Sequence, residues 1–296
     1  MNVLPFDKQI AAISALTEGC SIRATERLTG IHRDSIMRLG VRVGVGCAVL
    51  HDRLMRDLNI PLLECDEIWG YVGKKQRQTK PGEADKGDQY TYIALDATRK
   101  TIVSYMTGKR NPETTRAFID DLWERVINRP QITTDGYGPY INAIEEAFAG
   151  GVDYAQLVKS YSAEHSVQAA RRYSPASVVR VDRQVMSGNP DRRRISTSYV
   201  ERQNLTLRTQ QRRFVRPTNG FSKKLENHRA AVSLYVSHYN LCRVHETIRM
   251  TPAMALGVTD HIWTIGELVE AATSPGLVEP KGKQVGRFRV IDGDKD

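Results

Sequence analysis

A change in hydrophobic periodicity near residue 60 constrains the fold more than any other feature. Before it, apolar residues recur at helical spacing; after it come short β-rich runs separated by turns and helical stretches. From residue 62 to residue 158 the order is three strands, a helix, a strand, a helix and a strand. This order predicts a mixed α/β sheet in which the fourth strand lies beside the first.

The individual elements of this region are predicted from short patterns. Asp96–Lys100 is typical of a strand-to-strand turn, and Pro112 suits the first position of a helix. The order as a whole is that of a ribonuclease H-like α/β fold. Strands are predicted at 62–72, 90–95, 101–106, 131–134 and 154–158, and helices at 112–126 and 140–148.

Residues 1–58 have an all-α pattern that fits a helix-turn-helix domain. Helices are predicted near 8–16, over 22–28 with Ser21 as N-cap, and from His32 onward, with Gly30 in the turn. In a helix-turn-helix the last of these helices enters the major groove, and Arg33, Ser35 and Arg38 then point toward DNA. The alternative is a three-helix packing module that does not bind DNA.

The predicted domain organisation follows from these two regions. Residues 1–58 form the helix-turn-helix domain, and residues 59–258 the catalytic domain, with a basic insert near 160–196 that has no clear period. Helices are expected over 198–213 and 225–239. Residues 259–296 are expected to form a C-terminal helix and a basic tail.

Charge is concentrated in one part of the chain. The net charge is +9, and residues 159–216 alone carry 13 basic and 4 acidic residues, including Arg192, Arg193 and Arg194. A local basic surplus of this size favours a nucleic-acid partner over a solvated loop that binds nothing.

The sequence supports neither a membrane-spanning segment nor a structural zinc site. No apolar run approaches the about 20 residues that span a bilayer, and the N-terminus lacks a signal-peptide pattern, so a cytoplasmic location is expected. The four cysteines do not form the close pairs of a structural zinc site and are interpreted as reduced thiols.

Three carboxylates fall on elements that this fold brings together. Asp66 interrupts an apolar strand, where an ionised group is costly unless it pairs or binds metal. Asp135 ends the fourth strand, and Glu201 stands near the start of a helix. Carboxylate oxygens are the ligands that Mg²⁺ prefers, so the three predict a divalent metal site.

Three motifs resemble the insertion-sequence-one (IS-one) family of DDE transposases. They are DEIWGYVGKK from Asp66, Thr-Asp-Gly around Asp135, and YVERQNLTLR from Tyr199 to Arg208. The resemblance runs from about residue 66 to residue 221, over half the chain. It implies an enzyme that cleaves insertion-sequence ends and joins the 3′-hydroxyl to target DNA.

The resemblance also implies roles for single residues. Asp66, Asp135 and Glu201 become a triad for two Mg²⁺ ions, with Mn²⁺ as a substitute. Arg208, on the same helix face as Glu201, is expected to contact DNA. From helical spacing alone, Asn204 lies one turn from Glu201 and either hydrogen-bonds Glu201 or a DNA phosphate or is an ordinary polar helix position. Glu67 is left out of the triad, because alternate residues of a strand face opposite sides.

The expected partners are double-stranded DNA, as terminal inverted repeats and target, and further copies of the chain, since two ends must be handled together. Two rival functions remain open at this point. One is a structure-selective nuclease of the same fold, which would lack joining activity. The other is a helix-turn-helix repressor with an inactive nuclease-like domain, which would bind DNA without metal.

Overall fold

The computed structural model describes residues 4–161, 178–215 and 219–274. Three helices come first: α1 (Phe6–Thr17), α2 (Ile22–Thr29) and α3 (Arg33–Leu54). The Ser21 hydroxyl accepts a hydrogen bond from the Ala24 amide at 3.1 Å, as an N-cap should. Gly30 ends α2 with a φ of 70°, which glycine adopts without strain. The N-terminal helical region is therefore as predicted.

Helix α3 is much longer than a recognition helix requires. Its second half packs against two helices from the C-terminal part of the chain, α7 (Leu225–Ser237) and α9 (Ile265–Thr273). Gly44 and Gly46 permit this approach: an added Cβ would lie 2.2 Å from the Ala230 carbonyl oxygen and 1.7 Å from that of Ala272. The backbone of α3 therefore packs directly against the backbones of α7 and α9.

A six-stranded sheet forms the centre of the molecule, in the order β3-β2-β1-β4-β5-β6. Strands β2 and β3 are antiparallel to their neighbours, whereas β4 pairs in parallel with both β1 and β5. Three antiparallel strands followed by two parallel ones is the ribonuclease H-like arrangement that the element order predicts. The strands are β1 (Leu62–Val72), β2 (Gly87–Asp96), β3 (Ile102–Gly108), β4 (Gln131–Thr134), β5 (Asp153–Tyr161) and β6 (Val178–Ser187).

Helices cover both faces of this sheet. On one face lie α4 (Pro112–Trp123) and α5 (Pro139–Phe148), whose Phe118 and Tyr140 share a buried core with Cys65 of β1. The other face carries α6 (Ser198–Gln210), and its Val200 and Leu207 pack with Ile68. Alternate residues of β1 thus face different cores, as the period of a strand requires.

The first of these cores continues into the N-terminal helices. Ala12 and Ile36 belong to the same buried cluster as Cys65 and Phe118. The boundary predicted at residue 58 therefore lies within one continuous apolar interior, and the division into domains stays a prediction.

The predicted insert near 160–196 contains a regular element that the sequence pattern did not indicate. Strand β6 pairs antiparallel with β5, and Val179 and Val181 on it are exposed. Neither face of β6 is buried, and the alternation of Val179 and Val181 with polar residues is interrupted at Arg183. Residues 162–177 of the insert lie outside the described residues.

The C-terminal half also differs in detail from the prediction. Helix α6 ends at Gln210 and is followed by a 3-10 turn over Arg212–Phe214, and α7 continues as a π-helix over His238–Cys242. A short helix α8 (Pro252–Ala255) precedes α9. The predicted basic tail at 275–296 lies outside the described residues. Among the described helices, none has the length and apolar character to cross a bilayer.

Candidate metal centre

The parallel pairing of β1 with β4 positions the first two predicted carboxylates. Cys65 lies opposite Thr134 in this ladder. The next residue on each strand is an aspartate, so Asp66 and Asp135 are neighbours where β4 ends. Backbone hydrogen bonds alone determine this placement, because the register of a ladder carries over to the residues that follow it.

Glu67 joins these two aspartates. One carboxylate oxygen from each of Asp66, Glu67 and Asp135 lies within 4.8 Å of the others, which makes them the only metal-type cluster found among the described residues. Glu67 belongs to the opposite face of β1, as predicted. On the β4 side, however, the ladder ends at Cys65 and Thr134, and there the Glu67 carboxylate lies close to that of Asp135.

Burial and the repulsion between neighbouring carboxylates raise the pKa of all three acids. Burial raises the pKa of Asp66 to about 6, and the charge of Asp135 adds to the rise. Burial raises the pKa of Glu67 to about 8, again with a contribution from Asp135, while Arg110 opposes it. Burial also raises the pKa of Asp135. A cation between these groups would relieve the repulsion and favour their ionised forms.

Arg110 is the cation nearest the strand side of this cluster. Its Nε lies 3.3 Å from Glu67 Oε1 and its Nη2 3.6 Å from Asp135 Oδ2. The guanidinium stacks on the Tyr137 ring, 3.9 Å from the centroid. Arg110 therefore orients both carboxylates but leaves Asp66 without a cationic partner in its contacts.

Glu201 does not belong to the 4.8 Å cluster. It lies in the first turn of α6, half-exposed, and its carboxylate is paired with the Lys159 ammonium of β5. The Thr197 hydroxyl also donates a hydrogen bond to it. Its charge nevertheless contributes to the raised pKa values of Asp66 and Asp135. Glu201 therefore faces the cluster with Lys159 as its present counterion.

Asn204 connects α6 directly to Asp66. Its Nδ2 donates a hydrogen bond to Asp66 Oδ2 at 2.9 Å, and the side chain is buried. The sequence-based prediction named Glu201 or a DNA phosphate as its partner, and in the structure the partner is Asp66. Because Asn204 stands three residues after Glu201, this bond brings the same helical turn against the cluster.

The residues present fit a hard divalent cation. All the ligand atoms on offer are oxygens, and the carboxylates that supply them repel one another. In addition, the Asn204 Oδ1 atom is buried with no hydrogen-bond partner among the described residues. Oxygen-rich, partly open sites of this type suit Mg²⁺ or Mn²⁺ better than zinc, which favours nitrogen and sulfur.

Comparison with known proteins adds to this geometry. Residues 85–175 match the family model of the DDE domain of IS240 transposases, a range that includes Asp135. Insertion element iso-IS1n protein InsB of Shigella dysenteriae is 23% identical over 178 residues, covering 60% of this chain and 95% of that protein. Residues 85–175 are therefore similar to the DDE domain of insertion-sequence transposases. Such DDE domains use divalent metal ions, and the acidic cluster is where they fit.

Solved structures with a distant likeness are transposases and integrases. The piggyBac transposase synaptic complex with hairpin DNA has a TM-score of 0.41 at 11% identity, covering 90% of this chain and 69% of that one. The simian T-cell lymphotropic virus intasome has a TM-score of 0.38 at 13% identity, covering 94% of this chain and 80% of that one.

The predicted DNA contacts lie on three separate surfaces. Arg208 is exposed on α6, two turns beyond Glu201. Arg192–Arg194 form an exposed 3-10 turn held by Asp191, which hydrogen-bonds Gln131 at the start of β4. That turn lies at the opposite end of β4 from Asp135. Arg33 and Arg38 are exposed on α3, with Ser35 partly buried.

Three residues near the cluster were missed by the sequence reasoning, Glu64, Arg110 and Lys159, and Glu67 was considered but left out of the triad. A usable signal existed for the two glutamates, because Leu62–Val72 is apolar yet holds three acids in four positions. Nothing in the sequence indicated Arg110 or Lys159, since each reaches the cluster from a different strand or loop. The tertiary structure alone identifies them.

Proposed function

We propose that this protein is a DNA transposase that cleaves the ends of an insertion sequence and joins the freed 3′-hydroxyl to target DNA. The observation that carries the proposal is the meeting of Asp66 and Asp135 at the end of the β1–β4 ladder, with Glu201 facing them from α6. Asp66, Asp135 and Glu201 are the proposed metal ligands. Glu67 and Arg110 then orient Asp135 from the other face of β1.

When bound, two Mg²⁺ ions, or Mn²⁺ in their place, supply charge neutralisation for the attacking and leaving oxygens of an in-line phosphoryl transfer. The contribution of the protein is to hold the ligands in position. Asn204 keeps the Asp66 carboxylate oriented through its 2.9 Å hydrogen bond. Thr197 holds Glu201 on the side of α6 that faces the cluster. To serve as a metal ligand, Glu201 would have to exchange its ion pair with Lys159 for the cation.

DNA is proposed to run from the helix-turn-helix region to this centre. A cleft of about 940 Å³ lies between α3 and the segment after α6, and Arg38, Arg212 and Lys223 line it. Arg33 and Ser35 are placed at the start of α3, where a recognition helix contacts base edges. Arg208 and the Arg192–Arg194 turn are proposed as phosphate contacts. The protein is further proposed to act as a homo-oligomer in the cytoplasm.

A strand-transfer assay tests the enzymatic proposal. A labelled duplex carrying the terminal inverted repeat is incubated with target plasmid, Mg²⁺ and the protein, and cleaved and joined products are counted separately. Both products are expected, and both should disappear when EDTA removes the metal. Cleavage without joining would indicate a nuclease, and binding without either reaction would indicate a repressor.

Salt dependence tests the DNA-binding surfaces. Each neutralised phosphate releases counterions, so log Kd should rise steeply with log salt. Replacing Arg192, Arg193 and Arg194 by alanine should lower the slope by about one to three units, whatever the DNA sequence. Arg38→Ala should instead reduce discrimination between the inverted repeat and random DNA. An unchanged slope in the triple variant would remove that turn from the DNA path.

A further inference from the structure

Glu64 is a buried acid that the proposed chemistry does not use. It lies on β1 two residues before Asp66, so both side chains point to the α6 face of the sheet. Its residue exposure is 1%. A carboxyl group in such a position is costly unless hydrogen bonds compensate for its lost hydration.

The compensation comes from the start of α6. Glu64 Oε2 accepts hydrogen bonds from the backbone amides of Tyr199 at 2.8 Å and Val200 at 3.0 Å. The first amides of a helix have no partner within the helix, and the helix dipole favours a negative charge at this end. A side chain more than 130 positions away in the sequence therefore performs the capping function.

The other first-turn contact of α6 is local: the Ser196 hydroxyl accepts a hydrogen bond from the Ser198 amide at 3.0 Å. The N-cap residue of α6, Thr197, makes no capping hydrogen bond, because its hydroxyl donates to the Glu201 carboxylate instead. The Lys100 ammonium covers the outer side of this junction, 3.0 Å from the centroid of the Tyr199 ring. Residues of β1 and the β2–β3 turn thus hold the first turn of α6 from both sides.

A second contact ties α6 to the same strand. Asn204 donates to Asp66, so α6 is attached to β1 at its first turn through Glu64 and about one turn later through Asp66. Glu201 lies between these two attachment points on the helix. The distance from Glu201 to Asp66 and Asp135 is therefore set by how β1 holds α6.

We propose that Glu64 is a positioning residue for the metal centre: by accepting the Tyr199 and Val200 amides it sets α6, and with it Glu201, relative to Asp66 and Asp135. The inference rests on the proposed function, because it assigns Glu64 a task only if Glu201 is a ligand. Glu64 acts through the helix and touches neither metal nor DNA. The acceptor oxygen is what matters, and a neutral acceptor of the same length should replace it.

Two substitutions of Glu64 distinguish the role of its hydrogen-bond acceptor from the role of its negative charge. Glu64→Gln retains an oxygen able to accept both amides, whereas Glu64→Leu fills the space and removes the acceptor. In single-turnover cleavage of a labelled terminal repeat at saturating Mg²⁺, Glu64→Leu should lose about 100-fold in rate, the scale expected from a ligand misplaced by about 1 Å. Glu64→Gln should stay within about fivefold of wild type, and both variants should bind the repeat with wild-type affinity.

Amide hydrogen exchange of the wild-type protein supplies a measurement that needs no variant. The Tyr199 and Val200 amides should exchange as slowly as those inside the β1–β4 ladder. Exchange at the rate of an uncapped helix end would overturn the proposal, as would full activity of folded Glu64→Leu, or a Glu64→Gln rate as low as that of Leu. If Glu64→Leu does not fold, the exchange rates and Glu64→Gln still decide the question.

Failure of the proposed function shows up differently. Absence of cleaved and joined products with the wild-type protein would overturn the proposed function. Glu201→Gln is assayed alongside, and wild-type cleavage by that variant would remove Glu201 from the ligand set. Inactive Glu201→Gln together with fully active Glu64→Leu would overturn only the positioning role.

Discussion

The two halves of the metal centre are assembled in different ways. The strand half, Asp66, Glu67 and Asp135, belongs to β1 and the end of β4, and its oxygens already lie within 4.8 Å of one another. The helix half, Glu201, Asn204 and Arg208, belongs to α6, and there Glu201 is engaged by Lys159 and Thr197. The carboxylate oxygens of the strand half lie close together, whereas Glu201 of the helix half is paired with Lys159.

The difference follows from what holds each half. A parallel ladder with several backbone hydrogen bonds sets the strand half, and no single side chain controls it. The helix half depends on a few side-chain hydrogen bonds, those of Glu64 and Asn204, each of which one substitution removes. Substitutions in the strand half should therefore remove metal ligands, whereas substitutions of Glu64 and Asn204 should change the position of α6.

The largest effect is expected in the strand half. Asp66→Asn removes a ligand charge at the centre of the cluster, so end cleavage should fall by at least about 1000-fold. A Mn²⁺ titration should show a greater loss of binding for Asp66→Asn than for Glu201→Gln. The control is Asp120→Asn, an exposed carboxylate on α4. Equal Mn²⁺ affinity of Asp66→Asn and Glu201→Gln would show that the two halves contribute equally to metal binding.

Asn204→Leu should produce the next effect. It removes the hydrogen bond to Asp66 without altering any ligand, and loss of such a supporting contact typically costs about 10- to 100-fold in metal affinity or activity. Single-turnover cleavage at several Mg²⁺ concentrations measures this. Leu205→Ala, at an exposed position of the same helix, is the matched control. Wild-type activity in Asn204→Leu would show that α6 needs no second attachment to β1.

Metal affinity should depend on pH through the strand half. Burial raises the pKa of Asp66 to about 6, so below that pH a proton occupies the group that the metal needs. Affinity should fall by about tenfold per pH unit below 6 and rise as the pH increases through this range. Calorimetric Mn²⁺ titrations between pH 5 and pH 7 check the sign. An affinity that increases toward low pH would contradict this assignment.

The smallest effect concerns the counterion of the helix half. Lys159→Met removes the ammonium that pairs with Glu201, and the metal then no longer competes with it. Since a partly exposed ion pair contributes about 0.2–1 kcal/mol, DNA-free Mn²⁺ affinity should increase by about two- to fivefold. Arg180→Met, which removes an exposed ion pair on β6, should leave it unchanged. Weaker Mn²⁺ binding in Lys159→Met would mean that Lys159 supports the site.

Some elements could be predicted from the sequence, and others could not. The boundaries of β1 and the N-cap at Ser21 came from local patterns, and the structure confirms both. Strand β6 was missed, because its alternation of valines with polar residues is short and is interrupted at Arg183. The hydrogen bond from Asn204 to Asp66 was not among the contacts predicted for this residue. Helical spacing relates a residue to its own helix and says nothing about the strand on which that helix packs.

By itself, the amino-acid sequence determined the order of strands and helices, and with it the pairing of β1 and β4 that makes Asp66 and Asp135 neighbours. The periods of apolar residues and the turn residues are local, so they can be read along the chain. Only the tertiary structure decided that Glu67 reaches Asp135, that Lys159 engages Glu201 and that Glu64 caps α6. These contacts join residues distant in sequence, and their geometry depends on how long β4 is and on how α6 lies across the sheet.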